Sequence, residues 1–240
     1  MDEALLLSFA ELEESHWWFL VRRSLVLDQA LRWAPRPAAW LLEVGCGTGA
    51  TLRGLVPLFP GSRVTGVEPS AAAVRVAVAA GCDVVPGSFE RLPVAAGSVD
   101  VLLALDVLEH LDDDAAGLAE AARALRPGGR LLITVPALPA LWGPHDELNH
   151  HRRRYTRAML RDRVVIAGFR VERVTYFNTL LLPLAWWERT TARRRHRPAL
   201  VTQPAAFVNA VLRRIFALER PLLRRVDLPI GLSLLLVASR

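Results

Sequence analysis

The order of elements in this chain predicts a doubly wound α/β fold around a parallel sheet, and three observations carry that prediction. Residues 41–49 read Leu-Leu-Glu-Val-Gly-Cys-Gly-Thr-Gly, an apolar strand running into a GxGxG turn. Glycine lets the backbone reverse there and lets a ligand approach closely. A second apolar strand ends nineteen residues later at Glu68, and residues 99–135 then repeat strand, helix, Arg-Pro-Gly-Gly and strand. Strands that alternate with helices in this way pair in parallel.

In chain order, residues 3–33 are predicted helical, with Leu5, Leu6, Phe9, Leu12, Leu25, Leu27 and Leu31 at core spacing, until Pro35 and Pro37 break the pattern. Strands are predicted at 40–44, 63–67, 82–86, 99–105 and 130–135, with helices near 48–58, 70–80 and 115–125. Ser70 is placed to cap the second of these helices, and Arg126-Pro-Gly-Gly129 to stop the third. A loop follows Pro136. Residues 155–167 then read as a helix capped by Thr156 and stopped by Gly168, residues 169–177 alternate like a strand, and residues 230–238 form the last strand. About fifty residues separate those two strands. Within them, Phe207, Val208, Val211, Leu212, Ile215, Leu218 and Leu222 fall on one helical face, while Asn209, Arg213, Arg214, Arg220 and Arg224 occupy the other. That is the pattern of an interfacial membrane helix or of a cap packed on the domain.

The 240 residues suffice for one α/β domain with an appended helical piece. All 30 basic residues are arginine, which reflects base composition first, yet their placement is uneven. Residues 1–150 hold 11 Arg against 19 acids, and residues 151–240 hold 19 Arg against 5 acids, so the C-terminal third carries net +14. Such a surface suits anionic headgroups, phosphorylated substrates or nucleic acid. Charge-free runs such as 174–187 and 198–212 reach no more than 15 residues, short of the ~20 apolar residues that span a bilayer. With no basic leader, the expectation is a cytoplasmic chain that can also sit peripherally at a membrane. Cys46 and Cys82 lack metal or redox spacing and read as reduced packing residues.

The ligand of the glycine turn follows from its neighbours. A dinucleotide fingerprint is GxGxxG and receives a pyrophosphate; here the spacing is GxGxG, and Glu43, just before it, repels phosphate. An acid in that place suits a cationic ligand such as S-adenosyl-L-methionine, with Glu68 accepting from ribose hydroxyls. With these residues, and with Asp106-Val-Leu-Glu-His-Leu111 at the exit of the 99–105 strand, the chain resembles a class I S-adenosylmethionine-dependent methyltransferase of the type similar to quinone-biosynthesis methyltransferases. The resemblance is strong over about residues 40–136. Flanking segments, His16-Trp-Trp-Phe-Leu-Val-Arg-Arg23, His151-Arg-Arg-Arg-Tyr155 and Ala167-Gly-Phe169, resemble a narrower subgroup. It implies a Rossmann-like seven-stranded sheet with only the last strand antiparallel. In that family the last two strands form a direct antiparallel hairpin, so the element order here divides the chain into a helical cap at 1–36, a cofactor domain at 37–178 and 230–240, and a basic helical insert at 179–229.

Cofactor contacts are expected at Glu43, Gly45, Cys46, Gly47, Gly49, Glu68, Pro69, Phe89, Asp106 and Arg23, with Ser88 where the family commonly offers Asp to adenine. For a general base, the histidines with a usable pKa are His151 first and His110 second. Substrate contacts are expected from His16, Trp18, His145, Arg154 and Tyr155. His145, Asp146, His150 and His151 cluster without a recognised metal spacing, so no metal is expected. The acceptor is expected to be a small or lipid-linked molecule methylated at oxygen. A non-catalytic cofactor-binding partner protein is the alternative, as is a nucleic-acid methyltransferase; the latter is disfavoured because Asp106-Val-Leu-Glu109 stands where an Asn/Asp-Pro-Pro-Tyr exit belongs.

Overall fold

The computed structural model describes residues 10–37, 40–195 and 203–240. The predicted helical residues 3–9 lie outside these, as do the side chains of Arg193-Arg-Arg195. Residues 10–15 are helical, and the chain then breaks at His16 before α1 (Trp17–Trp33), so the single N-terminal helix expected from the spacing is two. The break has a local cause: the His16 imidazole caps α1 by accepting from the Trp18 amide at 3.3 Å.

Seven strands then form one sheet: β1 (Trp40–Val44), β2 (Arg63–Glu68), β3 (Asp83–Pro86), β4 (Val99–Leu105), β5 (Leu125–Pro136), β6 (Arg170–Phe177) and β7 (Ser233–Ser239). Their order is β3-β2-β1-β4-β5-β7-β6, and β7 alone runs antiparallel to its neighbours. The helices between them are α2 (Ala50–Leu55), α3 (Ala71–Ala79), α4 (Asp114–Ala124), α5 (Pro144–Leu148) and α6 (Arg157–Ile166); α7 (Leu182–Arg195), α8 (Ala206–Ala217) and α9 (Glu219–Leu223) lie between β6 and β7. Ser70 and Thr156 cap α3 and α6 through the amides of Ala73 and Met159, as their positions in sequence imply.

Strand alternation divides the core into two layers. Leu42, Leu102, Ile133 and Leu236 face Leu118 of α4 and Leu160 of α6. Leu41, Leu103, Leu132 and Leu235 face Leu25 of α1, Leu55 of α2 and Phe216 of α8. β4 is covered on both faces, which is why residues 101–105 read as an unbroken apolar run, while Asp100 near its start is buried in an ion pair with Arg126.

Two strand boundaries differ from the sequence reading by more than one residue. β5 begins at Leu125 rather than 130, because the Arg-Pro-Gly-Gly segment joins the strand through an irregularity opposite Val99 and Val101. There Gly128 sits at φ +76°, a conformation glycine adopts without strain. β7 begins at Ser233 rather than 230, because Gly231 runs so close under the Phe177 backbone that any side chain would collide with it.

Candidate functional site

Strand order reverses between β1 and β4, and in such sheets the crevice beyond the strand carboxyl ends binds ligands. The register sets Val44 of β1 beside Val67 of β2 and Ala104 of β4, so the residues that follow these three strands converge. Gly45 and Gly47, at φ +63° and +54°, carry the chain over the end of β2, with the Gly45 amide donating to the Val67 carbonyl at 2.7 Å. A side chain at Gly45 would lie 2.6 Å from the Val107 side chain, whereas at Gly47 the nearest atom is Glu13 Oε1 at 3.9 Å. The turn is thus tightly packed at Gly45, whereas at Gly47 a side chain would meet the Glu13 carboxylate only at ordinary contact distance. Cys46 turns inward against Gly66, and burial pushes its thiol up, so its side chain packs rather than reaching a ligand.

Four charged groups border this turn. Glu68 accepts from the Gly47 amide at 3.0 Å and the Ser70 amide at 2.9 Å, which leaves carboxylate lone pairs for a further donor. Glu43 is buried, its Oε2 has no hydrogen-bond partner among the described residues, and burial pushes its pKa up to about 8 against the pull of Arg22. Arg22 lies 2.6 Å from Asp106 Oδ2 and donates to Thr134 Oγ1 at 3.4 Å. Its Nε touches the carboxylate without a directed hydrogen bond, so both groups retain polar capacity. The Trp18 ring props the Arg22 guanidinium at 5.3 Å. Arg22 therefore takes the place expected of Arg23, which turns one position around α1 and pairs with Glu14. Above the turn, the Glu13 carboxylate meets the Thr48 hydroxyl, and desolvation raises its pKa.

The adenine-side expectations are divided. Ser88 is half-buried and bridges to Arg91, Pro69 follows β2 as expected, and Phe89 is buried against Gly117 of α4 as part of the core.

Beyond Asp106 the charged line continues. Glu109 is buried with Oε2 unpartnered among the described residues, and desolvation with neighbouring Asp106 holds its carboxyl well above the usual range. The rings of His110 and His151 meet edge-on at 4.8 Å. His110 is open to solvent on one edge yet crowded by protein; desolvation first and the neighbouring His151 second push its pKa down to about 4. His151 Nδ1 lies 3.0 Å from Asp146 Oδ1. Asp146 is fully buried and also accepts from Arg154 Nε at 2.8 Å and the Gly143 amide at 3.0 Å. Asp146 can accept from a His151 Nδ1–H, and in that tautomer Nε2 is the acceptor. His145 flanks His151 with ring centroids 6.3 Å apart. One ligand atom each of Glu109, His110 and His151 lies within 4.8 Å of the others, a grouping with cation-binding spacing that the sequence cluster did not include.

Three residues expected at the substrate serve elsewhere. Tyr155 is fully buried, donating to Asp114 at 2.7 Å, and burial with that carboxylate raises its pKa. Arg154 holds Asp146 from within the protein, and His16 caps α1. Glu109, Asp146 as the partner of His151, and Glu13 were missed. Two of them carry a sequence signal, Glu109 within the Asp106-to-Leu111 strand exit and Asp146 within the cluster of His145, His150 and His151.

Residues 42–133 match the methyltransferase-domain family model. The chain carries a class I methyltransferase domain. It is 36% identical over 168 residues to a probable S-adenosylmethionine-dependent methyltransferase of Mycolicibacterium smegmatis, covering 67% of this chain and 62% of that one. It is 36% identical over 123 residues to a ubiquinone biosynthesis O-methyltransferase of Methylobacterium sp., covering 45% and 49%. The chain thus spans about half the length of such relatives. Among solved structures, a putative methyltransferase of Haloferax volcanii in complex with the Trm112 methyltransferase activator superposes with TM-score 0.64 at 21% identity, covering 99% of this chain and 96% of that one. That likeness shows the fold. The matched residues end within β5, so His151, Asp146 and the helices between β6 and β7 lie beyond them.

Proposed function

We propose that the chain is an S-adenosyl-L-methionine-dependent methyltransferase acting on a small-molecule or lipid-linked acceptor, at an oxygen. The observation that carries this reading is the buried, half-satisfied Glu43 beside a left-handed glycine turn at a strand carboxyl end, since an orphaned carboxylate there is completed by a cation. Glu43 and Asp106 would hold the ammonium end of the methionine moiety, Arg22 its carboxylate, and Glu68 the ribose hydroxyls. When bound, the cofactor supplies an electrophilic methyl group on a sulfonium sulfur that leaves as a neutral thioether.

An acceptor hydroxyl must shed its proton as its oxygen gains the methyl group. The Nε2 of His151 would receive that proton, and Asp146, held in turn by Arg154, would orient the ring and stabilise the imidazolium. Desolvation pushes the His110 pKa down to about 4, which makes it a weak proton acceptor, so the base is assigned to His151. Alignment of the two reactants contributes more than any one group, since well-oriented systems reach effective molarities of ~10⁵ M or above. The oxygen preference draws on this base and on the O-methyltransferase among the relatives.

The domain division accompanies the proposal: a cap at 1–36, the cofactor domain at 37–178 with 230–240, and an insert at 179–229 that roofs the acceptor side. A second reading rests on the grouping of Glu109, His110 and His151, in which a divalent cation held there would lower the acceptor pKa. Chelation that abolishes turnover, with recovery on adding magnesium or zinc, would select it over the general base. The primary test is calorimetric titration with S-adenosylhomocysteine. Wild type should bind, and Glu68→Ala should bind at least ~10-fold more weakly for loss of a charge-assisted hydrogen-bond acceptor. Wild type that takes up no ligand would overturn the reading. The acceptor class follows from incubating protein, labelled donor and cell extract, then partitioning the label between lipid and water.

A further inference from the structure

The spacing leaves open whether the apolar face of α8 and α9 is covered by the domain, and the structure divides that face: Leu212 and Ile215 pack on the core while its other large residues stay half-buried or exposed. Facing the domain are Asn209, which caps α1 by accepting from the Trp17 amide at 2.8 Å, Phe216, Glu219 and Leu223; Arg220 and Arg224 pair with Asp28 of α1. Phe216 stacks on Phe177 at 6.3 Å and meets Trp17 edge-on. Exposed instead are Phe207 at 80%, Leu218 at 61%, Val208 and Leu222. Phe207, Val211, Leu218 and Leu222 lie at spacings of four, seven and four, a single stripe along successive helical turns. Arg214, seven residues from Phe207, and Arg213 flank it; both are exposed and carry no ion pair among the described residues.

The stripe does not stand alone. The buried Glu219 carboxylate accepts from the amides of Asn178, Thr179 and Leu180 at 2.6 to 2.8 Å, which anchors the start of α7 to the start of α9. The Thr179 hydroxyl donates to the Ile230 carbonyl. Leu180, Leu218 and Ile230, all exposed, therefore leave the protein around one anchor, and α7 continues with exposed Leu184, Trp186 and Trp187. Exposed apolar groups of this number mark an interaction surface. Residues 179–229 also hold ten arginines against three acids, net +7. Tryptophan and phenylalanine among arginines, on helices that leave part of their apolar face exposed, match the interface between water and an anionic bilayer in both charge and polarity.

We propose that the outer face of this segment docks on an anionic phospholipid membrane, with Phe207, Leu218 and Leu222 entering the headgroup boundary and Arg213 and Arg214 meeting lipid phosphates. The helices lie along the surface: no helix among the described residues is long and apolar enough to cross. The lipid reading goes beyond the methyl-transfer proposal and stands without it.

Co-sedimentation with vesicles tests the surface without any methyl donor, so its outcome is separate from that of the cofactor titration. Wild type should pellet with vesicles of equal phosphatidylcholine and phosphatidylglycerol and remain in solution with phosphatidylcholine alone. Arg213→Ser with Arg214→Ser should lower the partition coefficient by about 30-fold, at about a factor of 5 per arginine. Phe207→Ser with Leu218→Ser should lower it further and leave binding that high salt abolishes. These four positions are exposed, so circular dichroism should show folding retained in both variants. The proposal is overturned by any of three results: wild type that ignores anionic vesicles, an apolar variant that pellets like wild type, or a solution dimer that Phe207→Ser with Leu218→Ser dissociates while lipid binding is absent.

Discussion

Replacing Glu43 with glutamine tests the electrostatics on which the cofactor reading depends. Burial holds the folded-state pKa at about 8, against a usual 4.5. A carboxyl whose folded pKa is raised favours folding fully below the unfolded value, and that contribution is lost as pH rises through the folded value. The window is therefore pH 4.5 to about 8. At 1.36 kcal/mol per unit its full depth is at most about 5 kcal/mol. Urea denaturation of wild type should show stability falling across that window, and Glu43→Gln, which has nothing to titrate there, should run flatter and be the more stable protein at pH 9. Ligand binding reads the same group in the opposite sense. At pH 7 a group of pKa about 8 is roughly nine-tenths protonated, and a cation seated against Glu43 must expel that proton. Titration of S-adenosylhomocysteine in buffers of different ionisation enthalpy should therefore release close to one proton in wild type and about one fewer in Glu43→Gln. Equal proton counts in the two proteins, or parallel pH–stability curves, would refute the assignment.

The remaining predictions concern the base, the turn and the outer helices. His151→Gln keeps a donor toward Asp146 but removes the acceptor nitrogen, so kcat should fall about 10²- to 10⁴-fold with little change in Tm. Asp146→Asn should lower both kcat and stability, the latter by ~3–5 kcal/mol, because the buried Arg154 loses its counter-charge; steady-state kinetics with thermal melts separate the two variants. Gly45→Ala drives a methyl group into Val107 at a positive φ and should destabilise by ~1–3 kcal/mol in chemical denaturation. Phe216→Ala empties a fully buried site between α8, α1 and β6, costing about 3–5 kcal/mol. Hydrogen exchange should show α8 losing protection before the sheet does.

What the sequence showed and what it hid follow a physical line. Gly45, Gly47 and Gly49 were legible because positive φ narrows the choice of residue, and β4 because double-sided burial demands the apolar run at residues 101–105. Arg22 against Arg23 was not decided, since adjacent helical residues differ only by a rotation whose origin depends on what α1 packs against. Tyr155 looked available beside three arginines; its partner Asp114 lies forty-one residues away and has no local signature. The same is true of α8, where spacing groups the apolar residues correctly but leaves open which face the domain covers. Asn209 and Arg224 settle it by bonding to α1, contacts nearly two hundred residues distant in sequence.

Gly231 passes directly beneath Phe177, so the chain leaves β6 and re-enters β7 at almost one point in space. Some fifty residues are therefore spent without displacing a strand. For the sheet, this excursion is equivalent to a short hairpin turn, and lengthening such a loop carries an entropic penalty that grows only logarithmically with its length. The segment can change size and surface chemistry while β5, β6 and β7 keep their register. Its freedom ends at Phe216, whose ring fills the layer between α1 and the sheet, so any replacement must still plug that hole.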